Sequence, residues 1–157
     1  MKKVFLHANP MLENLKEMAK PWARAFERMG FTLAINDELE KRLDGGVFER
    51  TRFIPREQGV EQCDFIAVVG GDGTILRQAI IAAQKSKPVL GINCGTIGFM
   101  SELEHHETSY LTGIRDGRFY LDYRMMLDVE VRNGEGETKF ASMALNDAVL
   151  TTGILSR

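Results

Sequence analysis

The chain opens with a short apolar run, Val4, Phe5 and Leu6, that reads as a strand. Leu12, Leu15, Ala19, Trp22, Phe26 and Met29 then recur at spacings of three and four, which gathers them on one face of a helix. Asn9 can cap this helix, and Pro10 suits its first position, where the N–H that proline lacks would be unpaired anyway. Gly30 is a stop signal. Pro21 sits inside the pattern and removes a bond to the carbonyl of Glu17, so a kink is expected there. Thr32–Ile35 reads as a second strand. Residues 36–62 are polar and weakly patterned, which predicts loops and short helical turns, with Gly45-Gly46 as a flexible point.

The middle of the chain is more decided. Phe65, Ile66, Ala67, Val68 and Val69 form a continuous apolar run, as expected of a strand buried on both faces of a parallel sheet. The run leads straight into Gly70-Gly71-Asp72-Gly73-Thr74. A helix is predicted next, with Ile75, Leu76, Ala79, Ile80 and Ala83 on its apolar face. Val89–Ile92 is another short buried strand, ending in Asn93-Cys94-Gly95-Thr96-Ile97-Gly98-Phe99-Met100. Strand, helix and strand make a βαβ unit, for which the right-handed crossover is the rule.

After a helical stretch near residues 106–115 the period changes from about four to two. Leu121, Tyr123, Met125, Leu127, Val129 and Val131 alternate with Asp122, Arg124, Asp128, Glu130 and Arg132. This predicts a half-buried antiparallel strand. Asn133-Gly134 is a hairpin signal, and 138–150 can return as the partner. A hairpin this apolar cannot hide its face alone, so either it packs on the α/β part, or it pairs with another subunit, or the rest of a β domain is absent; left exposed, it predicts self-association or poor solubility. The fold class is therefore α/β: a parallel-sheet domain with a glycine-rich βα loop over 1–118, then the start of an antiparallel β domain over 119–157.

Composition narrows the function. With 20 Lys and Arg against 22 Asp and Glu, the net charge of −2 argues against a nucleic-acid binder held by massed cations. No apolar run approaches the roughly 18–20 residues of a membrane span, and His7, Asn9 and Pro10 end the first one too soon for a signal peptide. Two cysteines, Cys63 and Cys94, make neither a disulfide framework nor a CxxC pair, so a cytoplasmic protein is expected.

The first glycine loop carries the chemistry. Three glycines at the end of a buried strand let the backbone turn sharply and leave room for a ligand. The loop amides and the following helix N-terminus form a cradle for phosphate, at the sheet edge where such folds bind ligands. An Asp inside that cradle should repel phosphate unless a metal or a substrate hydroxyl stands between them. Asp72 is thus a candidate for the group that accepts or orients the proton of an attacking hydroxyl. A tight turn with Asp72 as a helix cap is the plainer reading. The loop lacks the Gly-Lys-Ser/Thr of a Walker motif and the third glycine of GxGxxG.

Gly70-Gly71-Asp72-Gly73-Thr74 resembles the phosphate-binding motif shared by NAD kinases, lipid kinases and phosphofructokinases. Gly91-Ile92-Asn93-Cys94-Gly95-Thr96-Ile97-Gly98-Phe99-Met100 resembles the second glycine-rich loop of NAD kinases, and Ala144-Leu145-Asn146-Asp147 resembles their Asn-Glu/Asp motif. The resemblance implies transfer of the terminal phosphoryl group of ATP, or of polyphosphate, to the 2′-hydroxyl of the adenosine ribose of NAD, with a divalent ion such as Mg2+. It implies Asp72 as proton acceptor, and Gly71 and Gly73 as the loop against which the dinucleotide lies. Thr74 and Arg77 lie in the first helical turn of the cofactor-binding loop, where Arg77 would meet phosphate or support the loop, although an exposed helical Arg is usually just solvated. Phe99 would sit near the adenine, and Asn146 and Asp147 would bind NAD. Neighbours on a regular strand point to opposite faces, so those last two share a ligand only where the strand ends or bulges. Family members generally add a C-terminal β-rich domain that completes the NAD pocket and supports a homo-oligomer. A chain ending at Arg157 is therefore expected to be a fragment of such a protein. Two alternatives stay open: a lipid or sugar kinase of the same superfamily, and a truncated nucleotide-binding module without activity.

Other residues have plainer readings. His105, His106 and Glu107 are consecutive and do not converge easily on a metal. Cys94 reads as a small buried residue. The eight methionines read as core filler, with Met125-Met126 on a sheet face.

Overall fold

The computed structural model describes residues 2–44, 48, 50–95 and 98–150. The chain divides into two compact units, Met1–Leu121 and Asp122–Arg157. In the first unit six strands form one parallel sheet: β1 (Lys3–Ala8), β2 (Thr32–Asn36), β3 (Arg52–Ile54), β4 (Phe65–Gly70), β5 (Val89–Asn93) and β6 (Leu103–Glu104). Their order across the sheet is β3-β2-β1-β4-β5-β6, so the direction of winding reverses between β1 and β4. The helices are α1 (Leu15–Arg28), α2 (Arg56–Gln62), α3 (Asp72–Gln84) and α4 (Leu111–Arg115), with 3₁₀ turns at Asp37–Leu39 and Thr108–Tyr110.

The central strands β1 and β4 are almost wholly apolar because both faces are covered. Val4, Leu6 and Ala8 of β1 and Phe65, Ala67 and Val69 of β4 share a core with Leu15, Ala19, Trp22 and Phe26 of α1. The alternate residues, Phe5, Ile66 and Val68, pack with Val60 of α2 and with Ile75 and Ala82 of α3. A period of two thus sorts one continuous apolar run into two cores. On the second face α2 lies so close that a Cβ on Gly59 would stand 2.2 Å from the Phe5 ring.

Helix α1 ends as Gly30 predicts. Gly30 has φ +81°, its N–H donates to the Glu27 carbonyl, and the Phe31 N–H donates to the Phe26 carbonyl, both at 3.0 Å. This is a Schellman ending, and the accompanying hydrophobic contact is the Phe26–Phe31 ring pair, 5.3 Å between centroids.

Several expectations are corrected. α1 begins at Leu15 rather than at Pro10, because Asn9 Oδ1 accepts the Met11 N–H at 3.0 Å and closes a turn before the helix. By contrast, the helix continues through Pro21 unsplit, as the unbroken periodicity favoured. The stretch 36–62 holds a parallel strand, β3, and a full helix, α2, that the weak pattern hid. Gly45-Gly46 lies outside the described residues. The buried stripe of α3 is Ile75, Gln78 and Ala82, whereas Leu76, Ala79, Ile80 and Ala83 of the expected face are only half-buried.

In the second unit β7 (Leu127–Arg132) and β8 (Thr138–Ala144) pair antiparallel. Both strands are shorter than the alternation predicts; β7 is exposed along most of its length, and β8 is half-buried only over its last three residues. Residues 121–126 form no strand, and Met125 is 81% exposed rather than set on a sheet face. The connection is not a two-residue Asn-Gly turn. Asn133 Oδ1 accepts the N–H groups of Glu135 and Glu137, and the positive φ, +84°, falls on Gly136.

Candidate active site

The first glycine loop stands where the winding reverses, at the carboxyl end of β4 beside the end of β1. Gly71 is the residue before α3, in extended conformation, and Asp72 is the first helical residue. Asp72 is therefore not the cap of its helix. The Thr74 and Ile75 amides donate to the Gly71 carbonyl at 2.9 and 3.2 Å. That leaves the Asp72 and Gly73 amides without an intrahelical acceptor, as at any helix start. Gly70 needs its bare Cα, since a Cβ would stand 2.8 Å from the Thr74 side chain. Cβ atoms on Gly71 and Gly73 would meet nothing within 4 Å.

Asp72 is held from the second loop. The Met100 N–H donates to its Oδ1 at 3.2 Å. Asn93, 2% exposed at the end of β5, braces this loop. Its Oδ1 accepts the Gly95 N–H at 2.9 Å, and its Nδ2 donates to the Glu104 carboxylate at 3.2 Å. Gly98 fits because a Cβ there would lie 2.3 Å from Ser101 Oγ and 2.8 Å from the Asn93 side chain. The Cys94 N–H ties the two loops together by donating to the Gly70 carbonyl at 3.1 Å. Burial, with Glu104 adding to it, pushes the Cys94 thiol up to about 11, so it is no thiolate nucleophile near neutral pH. Thr96 and Ile97 lie outside the described residues.

Asp72, Gly71, Gly73, Thr74 and Arg77 are thus brought together within the start of α3, with Arg77 exposed. Phe99 precedes the amide that holds Asp72 and is 83% exposed. Asn146 and Asp147 belong to the second unit, just past β8 where the ladder has ended, and both are exposed. Their side chains approach each other at 3.5 Å, which is possible because the strand has stopped there. Among the described residues no cluster of three His, Cys, Asp or Glu side chains could hold a metal by itself.

Three polar residues beside the loop escaped the sequence reading. His7, Arg56 and Gln78 line a cleft of about 150 Å³ together with Asn9, Thr74 and Arg77. His7 is 4% exposed, and burial, with the nearby Arg56 charge, lowers its pKa to about 4. Its Nδ1 lies 3.4 Å from Asn36 Nδ2. A histidine in an apolar strand was a signal in the sequence, whereas Gln78 lay off the helical face that the spacing picked out. Arg56, in a weakly patterned stretch, gave none.

Six parallel strands in this order, with a glycine turn at the point of reversal, define a doubly wound α/β domain of the nucleotide-binding kind. No helix among the described residues is long and apolar enough to cross a membrane. The family model of the ATP-NAD kinase N-terminal domain matches residues 4–118, and the chain belongs to that family. Its relatives include an NAD kinase of Psychrobacter arcticus, 40% identical over 67% of this chain and 32% of that protein. An NAD kinase of Thermococcus gammatolerans is 41% identical over 80% of this chain and 42% of that protein. The chain thus spans 32% and 42% of the length of these two curated relatives. The crystal structure of yeast NADH kinase complexed with NADH superposes with a TM-score of 0.77 at 18% identity, over 93% of this chain and 47% of that one. At that identity the likeness concerns the fold.

Proposed function

We propose that the chain is the amino-terminal part of an NAD kinase, which transfers the terminal phosphoryl group of ATP or polyphosphate to the 2′-hydroxyl of the adenosine ribose of NAD. The observation that carries this reading is a carboxylate, Asp72, gripped through one oxygen by the Met100 amide at the mouth of an unfilled glycine turn. Its Oδ2 has no protein partner among the described residues and is available to a substrate hydroxyl.

In this reading Asp72 takes the proton of the 2′-hydroxyl as its oxygen attacks the phosphoryl group. The Met100 amide fixes the carboxylate's orientation. Gly71 and Gly73 let the dinucleotide backbone approach, and the unpaired first-turn amides of α3 face developing negative charge. Thr74 and Arg77 take phosphate oxygens, and Phe99 offers an apolar surface to the adenine. Asn146 and Asp147 bind the NAD portion from the second unit. A divalent ion such as Mg2+ commonly arrives on substrate phosphates with one or two protein oxygens, so the small donor set here, Asp72 and the Thr74 hydroxyl, suits it. Bound there, the ion would neutralise phosphate charge. We place the protein in the cytoplasm, as a homo-oligomer using the exposed apolar residues of the hairpin, Val131 and Phe140 among them.

The test is NADP formation by the 157-residue chain and by a version extended to the length of its relatives, each with and without Asp72→Asn. Turnover that survives the substitution unchanged removes Asp72 from the reaction. A panel of NAD, diacylglycerol and fructose 6-phosphate as acceptors separates this reading from other kinases of similar motif.

A further inference from the structure

The register of the sheet brings three strand ends into line. Gly70, the last residue of β4, pairs with Asn93, the last of β5, and Asn93 pairs with Glu104, the last of β6. Asp72 follows Gly70 almost directly, so Glu104 stands two strands away from the reacting carboxylate. Between them lies the buried Asn93 amide. The Gly95 N–H is a donor and selects its Oδ1, which turns Nδ2 toward Glu104. An ionised carboxylate only accepts, and both Glu104 oxygens lie 3.2 Å from Nδ2. The two partners thus demand the same orientation of the amide, and the bond to Glu104 is charge-assisted. Nδ2 also reaches the Gly95 carbonyl at 3.3 Å, so the buried amide is satisfied on both sides. Glu104 itself is exposed, so its packing alone does not account for a carboxylate there.

The orientation of that amide sets the second loop. Asn93 Oδ1 holds the outgoing leg by the Gly95 N–H, and the same side chain lies where a Cβ on Gly98 would come within 2.8 Å. Just beyond Gly98, the Met100 N–H reaches Asp72 Oδ1. The returning leg is pinned separately. The Glu102 N–H donates to the Gly91 carbonyl at 3.1 Å, and Glu102 Oε2 accepts the Gly91 N–H at 2.7 Å. With the return fixed, the Asn93 side chain is the brace against which the rest of the loop sits. We propose that Glu104 is a positioning residue for phosphoryl transfer, acting through Asn93 and the second loop to keep the Met100 amide on Asp72. The assignment rests on the kinase reading above and adds to it a residue that touches no reacting atom. Such support matters because a misplacement of about 1 Å can cost about 10²-fold in rate.

Amide hydrogen exchange, read by NMR on the 157-residue chain, tests the link without reference to turnover. Glu104→Ala removes the acceptor, whereas Glu104→Gln keeps one oxygen for Asn93. In Glu104→Ala the Met100 amide should exchange about tenfold faster than in the parent, while the Val68 and Val69 amides of β4 hold their rates. Glu104→Gln should bring Met100 back to within about threefold of the parent. In the chain extended to the length of its relatives, Glu104→Ala should lower kcat for NADP formation by about 10- to 100-fold, with KM for NAD and for ATP changed by less than about twofold. Glu104→Gln should recover most of that rate. An unchanged Met100 amide in Glu104→Ala overturns the proposal. So does faster exchange throughout β4, which marks lost stability rather than lost position. NADP formation with a kcat untouched by Glu104→Ala also overturns it and leaves the kinase reading standing. A Met100 response in an extended chain that makes no NADP sinks the kinase reading and keeps the mechanical link from Glu104 to Asp72.

Discussion

Two glycine-rich turns lie on neighbouring strands, and their glycines have opposite surroundings. Within β5 at Gly91, and after it at Gly98, the space a side chain would need is taken by Ile75, Ser101 and Asn93. After β4, Gly71 and Gly73 face open space, and neither adopts a positive φ. The second turn uses glycine to close its own packing and to bring the Met100 amide onto Asp72. Gly70 of the first is packed against Thr74, but at positions 71 and 73 that turn uses glycine where nothing in the described chain demands it. In a helix start, glycine at position 73 forgoes up to about 1 kcal/mol of propensity relative to alanine. The vacancy is therefore best explained by something outside the chain that approaches the backbone closely.

Four experiments can break or sharpen this contrast. The largest effect is expected at Asp72. Asp72→Asn keeps an oxygen for the Met100 amide but loses the base, so NADP formation should fall by about 10²–10⁴-fold with the melting temperature little changed. A large loss of stability would mean that the first loop, too, is mainly scaffold. Next comes pH. His7 is held neutral with a pKa of about 4, against about 6.5 when unfolded, so the unfolded chain binds the extra proton first. The stability contributed is fully present above about pH 6.5 and is lost as pH falls toward 4, on the order of 3 kcal/mol in all. Urea midpoints from pH 7 to 4 should decline for the parent and decline less for His7→Gln. Third, Gly98→Ala forces Ser101 and Asn93 apart and should cost about 1–3 kcal/mol in a denaturant melt. The smallest effect on folding is expected for Gly73→Ala, which should leave the melt unchanged or raise it by up to about 1 kcal/mol. The same variant should weaken NAD or tripolyphosphate binding, measured by titration. Equal melts for Gly98→Ala and Gly73→Ala would erase the distinction between the turns.

Legibility in the sequence followed the strength of local pattern. Buried strands such as 65–69 and the α1 face announced themselves because burial on both sides, or on one helical stripe, writes a period directly into residue type. β3 and α2 were invisible because edge pairing and short-range packing on Phe5 need few apolar positions; Gly59, which permits that packing, reads in isolation as a helix breaker. The alternation through 121–131 promised burial that the second unit does not provide to residues such as Val131. Asp72 and its loop were legible because glycine at a strand end has few other uses. The bond from Met100 was not, since a backbone amide arriving from the next loop leaves no mark in residue identity. His7 was written in plain view as a polar residue ending an apolar run, whereas Gln78 lay off the expected face of α3, and only packing shows that both face one cleft.

The reversal of winding at β1 also bears on how the chain is made. Val4 pairs with Leu33 on one side and with Phe65 on the other. On a ribosome adding about 5–20 residues per second, β1 waits for seconds with one edge bare until β4 is made. That makes β4 the segment whose arrival closes the open side of β1 and commits the domain to its topology.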